Sequence, residues 1–128
     1  MERKIYAAGG PWEDIIGYSR AVQVGNTLEI SGTVAANESG VVGKGDFYAQ
    51  TKFIFEKLRP VLEKAGFSFA DVTRTRIFMT DISKWEDVGR AHGEFFKNVK
   101  PATSLLEVSA LINPDYLVEI EVTAMKAS

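Results

Sequence analysis

The side chains best placed to move protons are carboxylates near the C-terminal end of this 128-residue sequence. In Leu117-Val118-Glu119-Ile120-Glu121-Val122-Thr123-Ala124, apolar and other residues alternate. Successive side chains of a strand point to opposite faces, so Val118, Ile120, Val122 and Ala124 go one way and Glu119 and Glu121 the other. If Glu107 on a neighbouring strand faces the same side, three carboxylates share one surface. Like charges that close raise at least one pKa unless cations intervene, and Arg74 and Arg76 are the natural cations. Two accounts stand: a salt-bridged sheet face, or a general acid/base carboxylate at a cleft, with Glu119 the catalytic candidate. His92, the one histidine, has the only side chain with an ordinary pKa near neutrality. It is either a core residue bonded to a backbone group or the edge of a pocket. Gly89 and Gly93 beside it allow close backbone approach. Ser31-Gly32 offers a hydroxyl and an open amide but lacks the Gly-x-Ser-x-Gly setting of a serine nucleophile.

Composition narrows the chemistry. The absence of cysteine removes thiolate catalysis and cysteine-bound zinc, and a lone histidine removes a multi-histidine metal site, so no metal is expected. The net charge is −2 and the basic residues do not cluster beyond Arg74, Arg76 and Lys84, which disfavours a nucleic-acid partner. No apolar run approaches the roughly 18–20 residues that span a bilayer, and the start does not read as a signal peptide. The expectation is a cytoplasmic protein forming a single domain over residues 1–128.

These residues need a scaffold. Tyr18 to Val24 and Thr27 to Ala35 flank the turn pair Gly25-Asn26 and read as a β-hairpin, with Gly32 marking a bulge or a close approach. Asp46 to Ala65 carries Phe47, Thr51, Ile54, Leu58, Val61, Leu62 and Ala65 in one helical stripe, closed by Gly66. Ser68 to Asp71 is a helical turn before a strand from Val72 to Thr80. Ser83-Lys84-Trp85-Glu86 reads as a capping box opening a second helix, whose stripe is Trp85, Val88, His92, Phe95 and Phe96. Strands from Ser104 to Val108 and Leu117 to Ala124 follow. The order β-β-β-α-β-α-β-β makes an α+β fold, one mixed sheet with two helices on one face.

At this point a family resemblance emerges along nearly the whole chain. Ile16-Gly17-Tyr18, Ser19-Arg20-Ala21-Val22, Gly25-Asn26 and Ile30-Ser31-Gly32-Thr33 carry it in the first part. Gln50-Thr51, Thr80-Asp81-Ile82, Phe95-Phe96, Pro101-Ala102-Thr103-Ser104, Glu107-Val108 and Val118-Glu119-Ile120-Glu121 continue it. In this order they resemble the Rid/YjgF family of reactive-intermediate deaminases, also called endoribonuclease L-PSP. The resemblance implies a chorismate-mutase-like fold, a homotrimer cored by a β-barrel, and small-molecule clefts between subunits. It also implies cofactor-independent hydrolysis of imines and enamines to 2-oxo acids and ammonia.

The family's substrate pocket maps onto Tyr18, Ser31, Gly32, Gly89, Thr103 and Glu119. Thr103 stands where the deaminases place an arginine for the substrate carboxylate, so the chain resembles the branch lacking that arginine. A threonine does not replace a guanidinium–carboxylate pair, whose charge-assisted hydrogen bonds contribute roughly 1.5–3 kcal/mol each. Arg20 and His92 are the candidate substitute cations. Three functions follow: hydrolysis of an imine, enamine or related metabolite other than a 2-imino acid; metabolite binding without chemistry; and, disfavoured by charge, a ribonuclease or translation-inhibitor role.

Overall fold

Turn chemistry and alternation set the first half of the sheet. In the computed structural model, which describes residues 1–127, β1 (Arg3–Tyr6) pairs antiparallel with β2 (Ala21–Val24), and β2 with β3 (Thr27–Val34). Gly25 turns the hairpin at φ +58°, in the left-handed region that glycine enters without a Cβ penalty. A two-residue β4 (Ala36–Asn37) folds back on β5 (Gly40–Val41), a small hairpin not foreseen in the sequence.

Helix α1 (Phe47–Lys64) starts where the Asp46 carboxylate accepts the Ala49 N–H at 3.0 Å and ends at Gly66, φ +85°. Its inward stripe holds Phe47, Thr51, Ile54, Leu58 and Leu62 as expected, widened by Gln50 and Phe55. Ser68 and Asp71 form a reciprocal capping box on a helical turn that leads into β6 (Val72–Met79). The next cap differs from expectation. The Asp81 carboxylate accepts the Ser83 N–H and hydroxyl, closing a short turn over Ile82–Lys84. Helix α2 (Trp85–Phe96) then begins with no side-chain cap, and Trp85 is 55% exposed instead of joining the stripe. The Ser83 hydroxyl is turned to Asp81 and gives α2 no cap, so the expected box between Ser83 and Glu86 does not form.

The chain returns along β7 (Ala102–Glu107), parallel to β6 as a helical crossover permits, and finishes with β8 (Val118–Met125). The sheet order is β1-β2-β3-β8-β6-β7, with β8 antiparallel to both β3 and β6. Val118, Ile120, Val122 and Ala124 are buried under the helices with Leu28, Ile30, Ile77, Met79, Leu58 and Phe55. Truncating one such side chain to alanine costs about 2–5 kcal/mol, so the helix-covered face supplies the rigid floor on which the other face is built. Among the described residues no helix is long and apolar enough to cross a membrane.

Candidate active site

A bulge shapes the open face of the sheet. Ile30 lies opposite Val122 and Thr33 opposite Ile120, so Ser31 and Gly32 together face the single residue Glu121. The extra residue turns Gly32 toward the open side, where a Cβ would collide with Glu119 Oε2 and sit 2.9 Å from its Cδ. Both sequence readings of Gly32, bulge and close approach, describe the same feature. Ser31 fastens the bulge to the preceding loop: its N–H reaches Arg20 O at 3.0 Å and its hydroxyl donates to Ser19 O at 2.6 Å.

Glu119 faces a cleft of about 580 Å³ lined by Trp12, Ile16, Tyr18, Ser31, Gly32, Val34 and Ile112. The chain is pinned there from two sides. A π-helical turn, Glu13–Gly17, projects Trp12 and Ile16, and the buried Glu13 carboxylate holds its approach by accepting the N–H groups of Ala8 at 2.7 Å and Gly9 at 3.0 Å. Gln50 fixes the loop bearing Ile112, donating to Asp115 O at 2.9 Å and accepting the Leu117 N–H at 2.9 Å.

Glu119 is half-buried and, among the described residues, its carboxylate has neither a hydrogen-bond donor nor an ion-pair partner. Burial first, and the Glu121 charge second, push its pKa above the ordinary carboxylate value. Its neighbours across the strands are Val34 and Phe78. Arg76, proposed as a partner, instead grips Glu121 with Nε at 2.8 Å and Nη2 at 2.6 Å.

The three-carboxylate surface does not form. Glu107 aligns with Met79, on the helix side, and accepts the Ile82 N–H at 2.9 Å. The parallel register of β7 puts even-numbered residues on the open face, with Leu106 beside Phe78.

Thus Tyr18, Ser31, Gly32 and Glu119 meet in one protomer, whereas Thr103, His92, Gly89 and Arg20 do not join them. Thr103 lies on the edge strand beside Thr75 and on the helix side. His92 bonds a side chain instead of the backbone: its Nε2 is 2.9 Å from Thr75 Oγ1, and its ring packs on Phe55 and Phe96. Burial lowers its pKa, so it rests neutral. Gly89 and Gly93 meet nothing within 4 Å of a built Cβ, so neither serves a close approach inside the protomer. Arg20 donates to Thr33 Oγ1 at 3.0 Å, and Thr33 pairs with Ile120 on the helix side. Sequence reasoning missed Trp12, Ile16, Val34 and Ile112 as cleft walls. For Trp12, Ile16 and Ile112 the signal was an apolar residue in a turn-rich stretch that no amphipathic pattern claims; Val34 was read only as part of a strand.

A mixed six-stranded sheet with two helices on one side and a carboxylate cleft on the other is an α+β architecture shared with solved YjgF-type proteins. A YjgF-family crystal structure from Mycobacterium tuberculosis superposes with a TM-score of 0.87 at 40% identity, covering 98% of this chain and 100% of that one. A conserved Rid-family protein from Yersinia pestis gives 0.83 at 32% identity, covering 98% and 100%. The 3-aminoacrylate deaminase RutC of Acinetobacter baylyi is 31% identical over 121 residues, 94% of this chain and 95% of its own length. Residues 11–126 match the family model described as Endoribonuclease L-PSP, and the chain belongs to that family, the YjgF/Rid family. Membership alongside RutC relatives supports a small-molecule-processing role.

Proposed function

We propose that this protein is a cofactor-independent hydrolase for an imine, enamine or related reactive metabolite, working as a homotrimer with its clefts between subunits. The observation that carries the reading is the Glu119 carboxylate, desolvated and unpaired among the described residues at the base of a cleft. A carboxylate whose pKa is raised by burial holds a proton more readily than a solvated one, which suits a group that takes and returns a proton. In the hydrolysis, Glu119 takes a proton from water as its oxygen bonds to the imine carbon. It then gives that proton to the nitrogen, forming a carbinolamine; as the C–N bond breaks, Glu119 passes the hydroxyl proton to the nitrogen, and a carbonyl compound and ammonia leave. Gly32 gives the carboxylate its seat, Tyr18 borders the substrate, and the apolar walls exclude bulk water.

Association is supported by two features of the open side. Leu106, Ile5, Val24 and Met125 are each at least 41% exposed. The edge strand β7 pairs on only one side, leaving a row of backbone groups available to a partner. In a trimer the β7 edge of one subunit, with Thr103, closes the Glu119 cleft of the next. The acidic balance of the chain and the Glu121–Arg76 pairing leave little positive surface for RNA.

The test is Glu119→Gln, which keeps shape. Turnover of imines generated in situ is expected to fall by about 10²-fold or more, with trimer mass by light scattering unchanged. Full turnover in the variant sinks the role of Glu119, a wild-type monomer sinks the shared cleft, and ligand binding without turnover in the wild type makes the protein a metabolite binder.

A further inference from the structure

Three side chains near the β7 edge form a continuous hydrogen-bonded line. Thr75 is fully buried on β6, and its hydroxyl lies 2.9 Å from His92 Nε2 and 2.8 Å from Thr103 Oγ1. Thr103 Oγ1 in turn donates to Pro101 O at 3.1 Å and lies at an exposed residue. A hydroxyl has a single proton, which fixes the direction of the line. Thr103 gives its proton to Pro101 O, so Thr75 must give its own to Thr103. Nothing remains for Thr75 to give His92, and the imidazole must therefore donate from Nε2–H. The proton then sits on Nε2 and not on Nδ1, and every link points outward from the core toward Thr103.

From this arrangement we infer that His92 and Thr75 are positioning residues that make Thr103 a neutral hydrogen-bond donor, selecting ligands with an uncharged carbonyl group over carboxylates. The inference rests on the proposed inter-subunit cleft, because Thr103 must face a ligand there. To engage a ligand, the Thr103 proton swings from Pro101 O to the ligand oxygen. The bond from Thr75 stays in place and strengthens the donor, as linked hydrogen bonds polarise one another. An amide, ester or ketone oxygen suits a single neutral donor. A carboxylate does not, since the line supplies no cation to offset the loss of its hydration, and it meets the unpaired Glu119 carboxylate across the cleft. The apolar walls Trp12, Ile16, Tyr18 and Ile112 add preference for an aromatic or branched body next to that carbonyl.

Benzamide and benzoate, matched in shape and differing in charge, are the probes. Calorimetry on the wild-type protein should show benzamide binding about five-fold or more tighter than benzoate. Thr75→Val keeps volume and removes the hydroxyl; it should weaken benzamide by about five- to ten-fold and leave benzoate unchanged, and Thr75→Ser should restore the difference. Thr103→Arg should invert the preference. Nitrogen NMR of the His92 ring should show the Nε2–H tautomer before ligand is added. An Nδ1–H tautomer, or a benzamide-to-benzoate ratio unmoved by Thr75→Val, overturns the relay. If Glu119→Gln changes affinity for both probes while Thr75→Val changes neither, the cleft stands and only the relay falls. Binding of neither probe brings down the cleft reading, and the inference with it.

Discussion

Glu119 and Glu121 leave the same strand on the same face, yet their surroundings are opposite. Glu121 has Arg76 directly across from it and sits in a hollow of about 320 Å³ with Arg74, Glu29 and Thr123. Glu119 has Phe78 across from it on one side and Val34 on the other, with Gly32 beneath its carboxylate. One register step on β6, from Arg76 to Phe78, decides whether a carboxylate is neutralised or desolvated. A reactive carboxylate is made here by withholding a partner, and a structural one by supplying it. The cost of the first is borne by the helix-covered side of the same strand, where Val118 and Ile120 are fully buried.

The sharpest way to abolish the contrast is Gly32→Ala. The new methyl takes the seat of the Glu119 carboxylate, and turnover is expected to fall by about 10²-fold, matching loss of the acid/base itself. The displaced group is the end of a side chain, so the protein should still fold; a crystal structure with Glu119 unmoved would refute the seat.

Stability against pH gives a subtler separation. The folded-state pKa of Glu119 is raised, so its contribution to stability is fully present below the unfolded value of about 4.3 and is lost as pH rises through the folded pKa. Glu119→Gln removes that loss. The variant should melt at or above the wild-type temperature at pH 7, with the difference reduced at about pH 4, where wild-type Glu119 is protonated as well. A lower melting temperature at pH 7 would reveal a cation supplied by another subunit.

Arg76→Ala is the smallest change. Its pair with Glu121 is largely solvent-exposed, so stability should drop by only about 0.2–1 kcal/mol in denaturant melts. The freed Glu121 charge should raise the Glu119 pKa further and move the acid limb of the activity profile to higher pH. No movement of that limb would mean that the two carboxylates are uncoupled.

Much of this was legible because it depends on short-range rules. The alternation in Val118 to Ala124 placed Glu119 opposite the core, the stripe from Phe47 to Leu62 gave α1, and Gly32 announced both its bulge and its close contact. What escaped depended on which residue lies beside which. Alternation gives Glu107 a face only once the parallel register with β6 is known, and that register put it on the helix side. The capping box at Ser83 failed because its hydroxyl donates to Asp81, two residues earlier. Thr75 had a readable signal, a hydroxyl on the buried side of a strand, but its partners His92 and Thr103 come from two other elements. The cleft walls were hidden for the same reason, since Trp12 and Ile112 are about a hundred positions apart in the chain.

The place of β8 in the sheet has a consequence for how the protein is made. It lies between β3 and β6, which touch β8 and not each other, although β3 is synthesised long before it. Until residues 118–125 emerge, the sheet exists only as two separate pieces, each with a bare inner edge. Joining them requires contacts between distant parts of the sequence, which slows folding and prolongs the exposure of sticky strands. The strand that carries Glu119 is thus the keystone of assembly. A substitution there is screened twice, first by whether the newborn chain closes before it aggregates, and only then by whether it turns over a substrate.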